Sequence, residues 1–63
     1  LRSEADLAMH VAAALRLGVS PVEIRETLLH ATVYAGAPAG NAAFAVAARV
    51  LEEQGVDPAE VEP

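Results

Sequence analysis

Ser20-Pro21-Val22-Glu23 constrains this chain more than any other stretch. A serine three residues before a glutamate is a capping box, in which each side chain satisfies a main-chain N–H that the helix start leaves unpaired. Proline at the first helical position presets φ and forfeits no hydrogen bond. Together these signals predict a helix over residues 21–35, closed by Gly36. At ~100° per residue, Ile24, Leu28, Ala31 and Ala35 share one apolar face, and Val22, Leu29 and Val33 share a second. Glu23, Glu26, Thr27, His30 and Tyr34 fall on the arc between them. Two apolar faces require two packing partners. This helix is therefore expected at the centre of the fold, with its polar stripe in a groove or interface.

The same grammar recurs on either side. Residues 3–17 read as a first helix, with Ser3 as N-cap and Glu4 and Asp6 where the positive end of the macrodipole favours acids. Leu7, Val11, Ala14 and Leu15 form its buried face, and Gly18 is a natural terminator. Pro38 disfavours helical conformation at Ala37, so Gly36 to Asn41 is expected as a turn. A third helix over residues 40–54 then points Phe44, Ala47, Ala48 and Leu51 inward and Asn41, Arg49, Glu52 and Glu53 outward, ending at Gly55. The tail from Val56, with two prolines and three acids, is expected to be loose apart from a short turn at Asp57–Ala59. No run alternates with period two, so no strand is predicted. The expected architecture is all-α, a three-helix unit within one domain spanning residues 1–63.

Composition narrows the partners. A chain of 63 residues buries only about 60% of the surface its unfolded form exposes. There is no cysteine to cross-link it, and many of its apolar residues are alanines that bury little area. Such a chain is expected to be an oligomer subunit or part of a larger domain. The net charge of −5, with no lysine, argues against nucleic acid, which is held mainly by Lys and Arg. The longest uncharged run, Thr27 to Ala48, contains His30, Tyr34, Asn41 and a Gly/Pro turn, unlike a ~20-residue membrane span. No signal-type segment is evident, and a cytoplasmic location is the default expectation.

Two groups of residues could carry chemistry. Asp6 lies one turn before His10, a spacing that can orient the imidazole and raise its basicity. The same spacing also fits an edge histidine with an incidental neighbour. Glu26, His30 and Tyr34 stack at i, i+4 and i+8 on a mostly apolar helix, where burial without partners would be costly. They also fit a solvent-facing stripe. Two histidines twenty residues apart form no recognised metal set, and no nucleophile elbow or phosphate loop is present. Proton-transfer chemistry, or none, remains.

The segments Asp6-Leu7-Ala8-Met9-His10-Val11, Gly18-Val19-Ser20-Pro21-Val22-Glu23-Ile24-Arg25-Glu26, Leu28-Leu29-His30 and Val33-Tyr34-Ala35-Gly36-Ala37-Pro38-Ala39 resemble the carboxymuconolactone decarboxylase family. In order and spacing they follow its E/D-L-x-x-H-V, G-V-[TS]-x-x-E-I-x-E and L-L-H-x-x-x-Y-A-G-x-P-A-A segments. The resemblance implies an alkylhydroperoxidase-like helical fold, homo-oligomers (often trimers or hexamers) with sites between subunits, and a small-molecule substrate. It further implies cofactor-free decarboxylation of carboxymuconolactone in aromatic catabolism, by the β-ketoadipate route. Carried over by position, His10 and His30 are the catalytic candidates with Glu26, supported by Asp6 and Tyr34. The family's thiol-peroxidase branch needs a C-x-x-C pair, which this chain lacks.

Three departures bear on that expectation. Decarboxylases of the family commonly carry arginine where this chain has Ala12, and Arg16-Leu17 replaces a pair of asparagines. Arginine is the natural clamp for a dicarboxylate, so the substrate is in question, and Arg16 is the candidate substitute. Family domains are also longer, so the chain reads as the C-terminal part or a truncated form of such a domain. The rival expectation is a non-catalytic helical oligomerisation module or an incomplete fragment.

Overall fold

The chain forms α1 (Arg2–Arg16), α2 (Pro21–Ala35), α3 (Ala37–Glu53) and a 3-10 helix, Pro58–Val61. The computed structural model describes the backbone of residues 2–63 and the side chains of residues 4–32, 36 and 38–63. Among the described residues there is no strand. The all-α architecture is thus present, with α2 at its expected bounds.

The capping box at α2 is complete. The Glu23 N–H donates to Ser20 Oγ at 3.1 Å, and the Ser20 N–H donates to Glu23 Oε1 at 2.9 Å. The bond from the Ser20 backbone holds the Glu23 carboxyl below its ordinary pKa. A carboxyl lowered in the folded state stabilises it above the unfolded pKa, so this contribution is lost as pH falls through the lowered value. At α1 the helix already includes Arg2, so Ser3 lies inside the first turn rather than capping it; Glu4 is the acid of that turn.

Gly18 and Gly55 close α1 and α3 in the same way. Each has positive φ, 94° and 78°. The Gly18 and Val19 N–H groups donate to Leu15 and Ala14, while those of Gly55 and Val56 donate to Glu52 and Leu51. This paired pattern satisfies carbonyls that a helix end would leave open.

The expected turn between α2 and α3 shrinks to one residue. Gly36, at φ 92° and ψ 159°, ends α2 and starts α3. That region of backbone space is essentially open only to glycine. Ala37 is helical despite preceding Pro38, because the first-turn N–H groups have no helical partner and a proline there forfeits nothing. The glycine makes the break, and the third helix starts at residue 37 rather than 40.

The core is organised by α3, not α2. Helix α3 packs against α1, α2 and the 3-10 helix, whereas α1 and α2 make little contact with each other. Ala47, Val50 and Leu51 of α3 are buried with Val11 of α1 and Ile24 and Leu28 of α2. Phe44 and Ala48 are only partly buried against this cluster. On α2 the second apolar face stays open, with Val22 50% and Leu29 37% exposed. Ala31 is exposed too, and the side chains of Val33 and Ala35 lie outside the described residues.

The tail is not loose. Asp57 accepts a bond from the Ala59 N–H at 3.0 Å and so starts the 3-10 helix. Val61 at its end is fully buried, and Val56 packs on the same core. Two valines spaced across a capped turn give this acidic segment enough apolar area to dock. The radius of gyration, 10.6 Å, matches the ~2.2·N^0.38 Å expected of a folded domain of this length.

Gly40 fixes how closely α2 and α3 approach. It is buried, and a Cβ built there would run into Thr32, 2.6 Å from Cγ2. Thr32 cannot turn away freely, because its hydroxyl donates to the Leu28 carbonyl at 2.8 Å. Gly40→Ala is therefore expected to destabilise the fold by about 1–3 kcal/mol through overpacking, read as a lower midpoint in urea denaturation followed by circular dichroism.

Candidate functional site

Because α1 and α2 both lean on α3 but scarcely on each other, a cleft opens between them. Its volume is ≈ 210 Å³. Leu7, Val11 and Ala14 of α1, Val19 of the connection, and Ile24 and Leu28 of α2 form apolar walls. Among the described residues two polar ones line it, His10 from α1 and Thr27 from α2.

His10 is held by its own helix. Its Nδ1 lies 2.7 Å from the Asp6 main-chain oxygen. A carbonyl can only accept, so Nδ1 must carry the proton, and Nε2 is left with the lone pair in the neutral ring. The expectation that Asp6 orients His10 holds in position but changes in atom: the partner is the carbonyl rather than the carboxylate. His10 is exposed along one side, so Nε2 can exchange protons with water.

Thr27 is held the same way. Its hydroxyl donates to the Glu23 carbonyl at 2.9 Å. This leaves Oγ1 with lone pairs and no proton to give. Sequence reasoning placed Thr27 on the polar arc of α2 but not among the site candidates. Its place beside Leu28, at the border of the arc and the apolar face, was the available signal.

The remaining candidates stand apart from the cleft. His30 and Glu26 are exposed on α2 and do not line it. Glu26 Oε2 lies 3.4 Å from Nε of its neighbour Arg25, an exposed pair of the kind that contributes little. Arg16 is exposed in the last turn of α1, where the helix dipole favours a cation. The side chain of Tyr34 lies outside the described residues. One chain therefore brings His10 and Thr27 together, and does not bring His30 to His10. Among the described residues no lysine or arginine lines the cleft, and no three potential metal ligands cluster.

The fixed His10 ring yields a direct expectation. At a pH where the ring is uncharged, ¹⁵N spectra of the imidazole should show a protonated Nδ1 and an unprotonated Nε2. The opposite tautomer, or an even mixture, would contradict this geometry.

The comparisons with known proteins follow that geometry. The sequence model of the carboxymuconolactone decarboxylase family matches residues 1–49. The chain is 41% identical over 61 residues to 4-carboxymuconolactone decarboxylase of Acinetobacter baylyi, covering 97% of this chain and 46% of that protein. It is 38% identical over 48 residues to nitrosuccinic acid decarboxylase npaB of Metarhizium robertsii, covering 76% of this chain and 34% of that protein. The chain thus spans less than half the length of these curated relatives. No solved structure matches it significantly. With a family match over most of its length, the chain belongs to the carboxymuconolactone decarboxylase family.

Proposed function

We propose that this chain carries the proton-transfer half of a decarboxylase site, acting on a small lactone or keto acid, with His10 as its acid. The observation that carries the reading is the Nδ1–H bond from His10 to the Asp6 carbonyl, which fixes the ring of a residue lining an apolar cleft and keeps Nε2 out of that bond. Both relatives are named as decarboxylases, which supports a carboxy-lyase reaction.

The chemistry asks little of the protein. The carboxylate leaves as CO₂, and the bonding electron pair passes to the adjoining carbon and into its conjugated carbonyl as a dienolate. Nε2, loaded with a proton from solvent, gives that proton to carbon. Carboxylate plus proton thus becomes CO₂ plus a C–H bond, with no redox change. Apolar walls favour this direction, because they solvate a compact carboxylate worse than the spread charge of the dienolate. The departure at Ala12 matters here. With no arginine or lysine among the described lining residues, a second carboxylate on the substrate finds no guanidinium or ammonium clamp there, so 4-carboxymuconolactone and its aromatic-catabolic route are one candidate among small lactones and keto acids.

His30, Glu26 and Tyr34 enter this proposal through assembly. On α2 His30 and Glu26 are exposed beside the open face of Val22 and Leu29, so a neighbouring copy packed there would carry this part of the helix toward a second chain's cleft. A homo-oligomer, trimer or hexamer, in the cytoplasm is the matching form. The exposed apolar residues Met9, Leu17, Val22 and Leu29 also favour a second reading, a helical assembly module without chemistry.

Two measurements separate these readings. Carboxymuconolactone decarboxylation, followed as CO₂ release, should fall by about 10²-fold or more in His10→Gln while the far-ultraviolet spectrum is retained. Full activity in that variant removes His10 as the acid, whereas no activity in the parent chain with assembly intact favours the assembly module. Mixing inactive His10→Ala and His30→Ala chains should restore part of the activity if each site draws on two copies. No recovery after confirmed co-assembly would place both roles within one chain or remove one of them.

A further inference from the structure

We propose that Thr27 sets the specificity of the cleft, selecting a ligand that presents a hydroxyl-type donor, an alcohol, phenol or enol, to α2, and disfavouring an anion there. The proposal rests on the cleft reading above and adds the chemical class of the group that faces Thr27.

Both polar groups in the cleft have their hydrogens assigned by main-chain carbonyls. The Thr27 hydroxyl proton is committed to Glu23 O at 2.9 Å, and the His10 Nδ1 proton to Asp6 O at 2.7 Å. A helix main chain does not rearrange to release them. Oγ1 therefore meets a ligand as an acceptor, and with neutral imidazole so does Nε2. Among the described lining residues nothing else is polar, and there is no arginine or lysine. A carboxylate placed against α2 would face the Thr27 lone pairs and methyl groups, and whatever water it gives up there is replaced by no donor. A hydroxyl placed there finds an acceptor already oriented. Size agrees with a small ring, since ≈ 210 Å³ is about seven water volumes at ~30 Å³ each.

For a decarboxylase this orientation has a use. The leaving carboxylate would point along the cleft toward His10 and its open side, while the protonated or enolic end of the substrate rests on Thr27. The carbon that must be protonated then lies on the His10 side.

The test uses three small aromatic probes with the intact chain: phenol as a donor, anisole as its methylated counterpart, and benzoate as the anion. Binding is followed by amide and side-chain shifts of Leu7, His10, Thr27 and Leu28. Phenol is expected to bind more tightly than anisole or benzoate. Thr27→Val, which keeps the shape and removes the acceptor, should weaken phenol by about three- to tenfold and leave anisole unchanged, and Thr27→Ser should keep the phenol preference. Benzoate binding as tightly as phenol with the cleft resonances shifted, or a phenol preference that survives Thr27→Val, overturns the role of Thr27 and leaves the cleft reading standing. Failure of all three probes to shift these resonances overturns both.

Discussion

The apolar stripe of α3 is the constraint on which the rest depends. Ala47 and Leu51 are fully buried, with Val50 beside them, and each other element reaches the core by packing onto that stripe. Alanine at 47 keeps the helix surface low enough for its neighbours to approach. Val61 then fills the remaining space from the far end of the chain. With so few large side chains, the fold has no second centre, and α1 and α2 must both spend their inward faces on α3. They are left apart from each other, and the cleft is the space between them.

Glycine decides the geometry of that arrangement at its two critical points. Gly36 reverses the chain in one residue, using backbone space that side chains exclude. Gly40, one turn later, removes the side chain that would hold α3 away from Thr32. A reversal this tight brings α2 down along α3 and leaves the Thr27 side of α2 toward α1. The cleft chemistry is set locally as well. His10 and Thr27 each donate to the carbonyl four residues earlier, so the helices themselves fix which hydrogens the cleft can offer.

The open face of α2 links fold and assembly. Val22 and Leu29 are apolar and exposed, and His30 and Glu26 lie beside them. The pattern of two apolar faces was legible in the sequence, but among the described residues only the Ile24–Leu28 face is covered within the chain. Periodicity reports that a face is apolar. It does not report which element covers it, because the covering element is distant in sequence or belongs to another molecule. The same gap explains the mistaken centre. Helix α2 has more large apolar residues, spread over two faces, yet α3 has the alanines and valines that let three elements meet on it.

By itself the sequence determined the helices, because their signals are local. The Ser20–Glu23 box, Gly18, Gly36 and Gly55 act within a few residues, and each stands in the structure as its residue type requires. It also determined the family, and His10 as a residue of interest. Tertiary structure alone decided that α3 is the hub, that Val61 completes the core, and that Thr27 rather than His30 shares a cleft with His10. Those outcomes turn on which surfaces meet. That depends on backbone separations set by Gly36 and Gly40 and on the summed area of contacts across the whole chain, quantities that no local pattern contains.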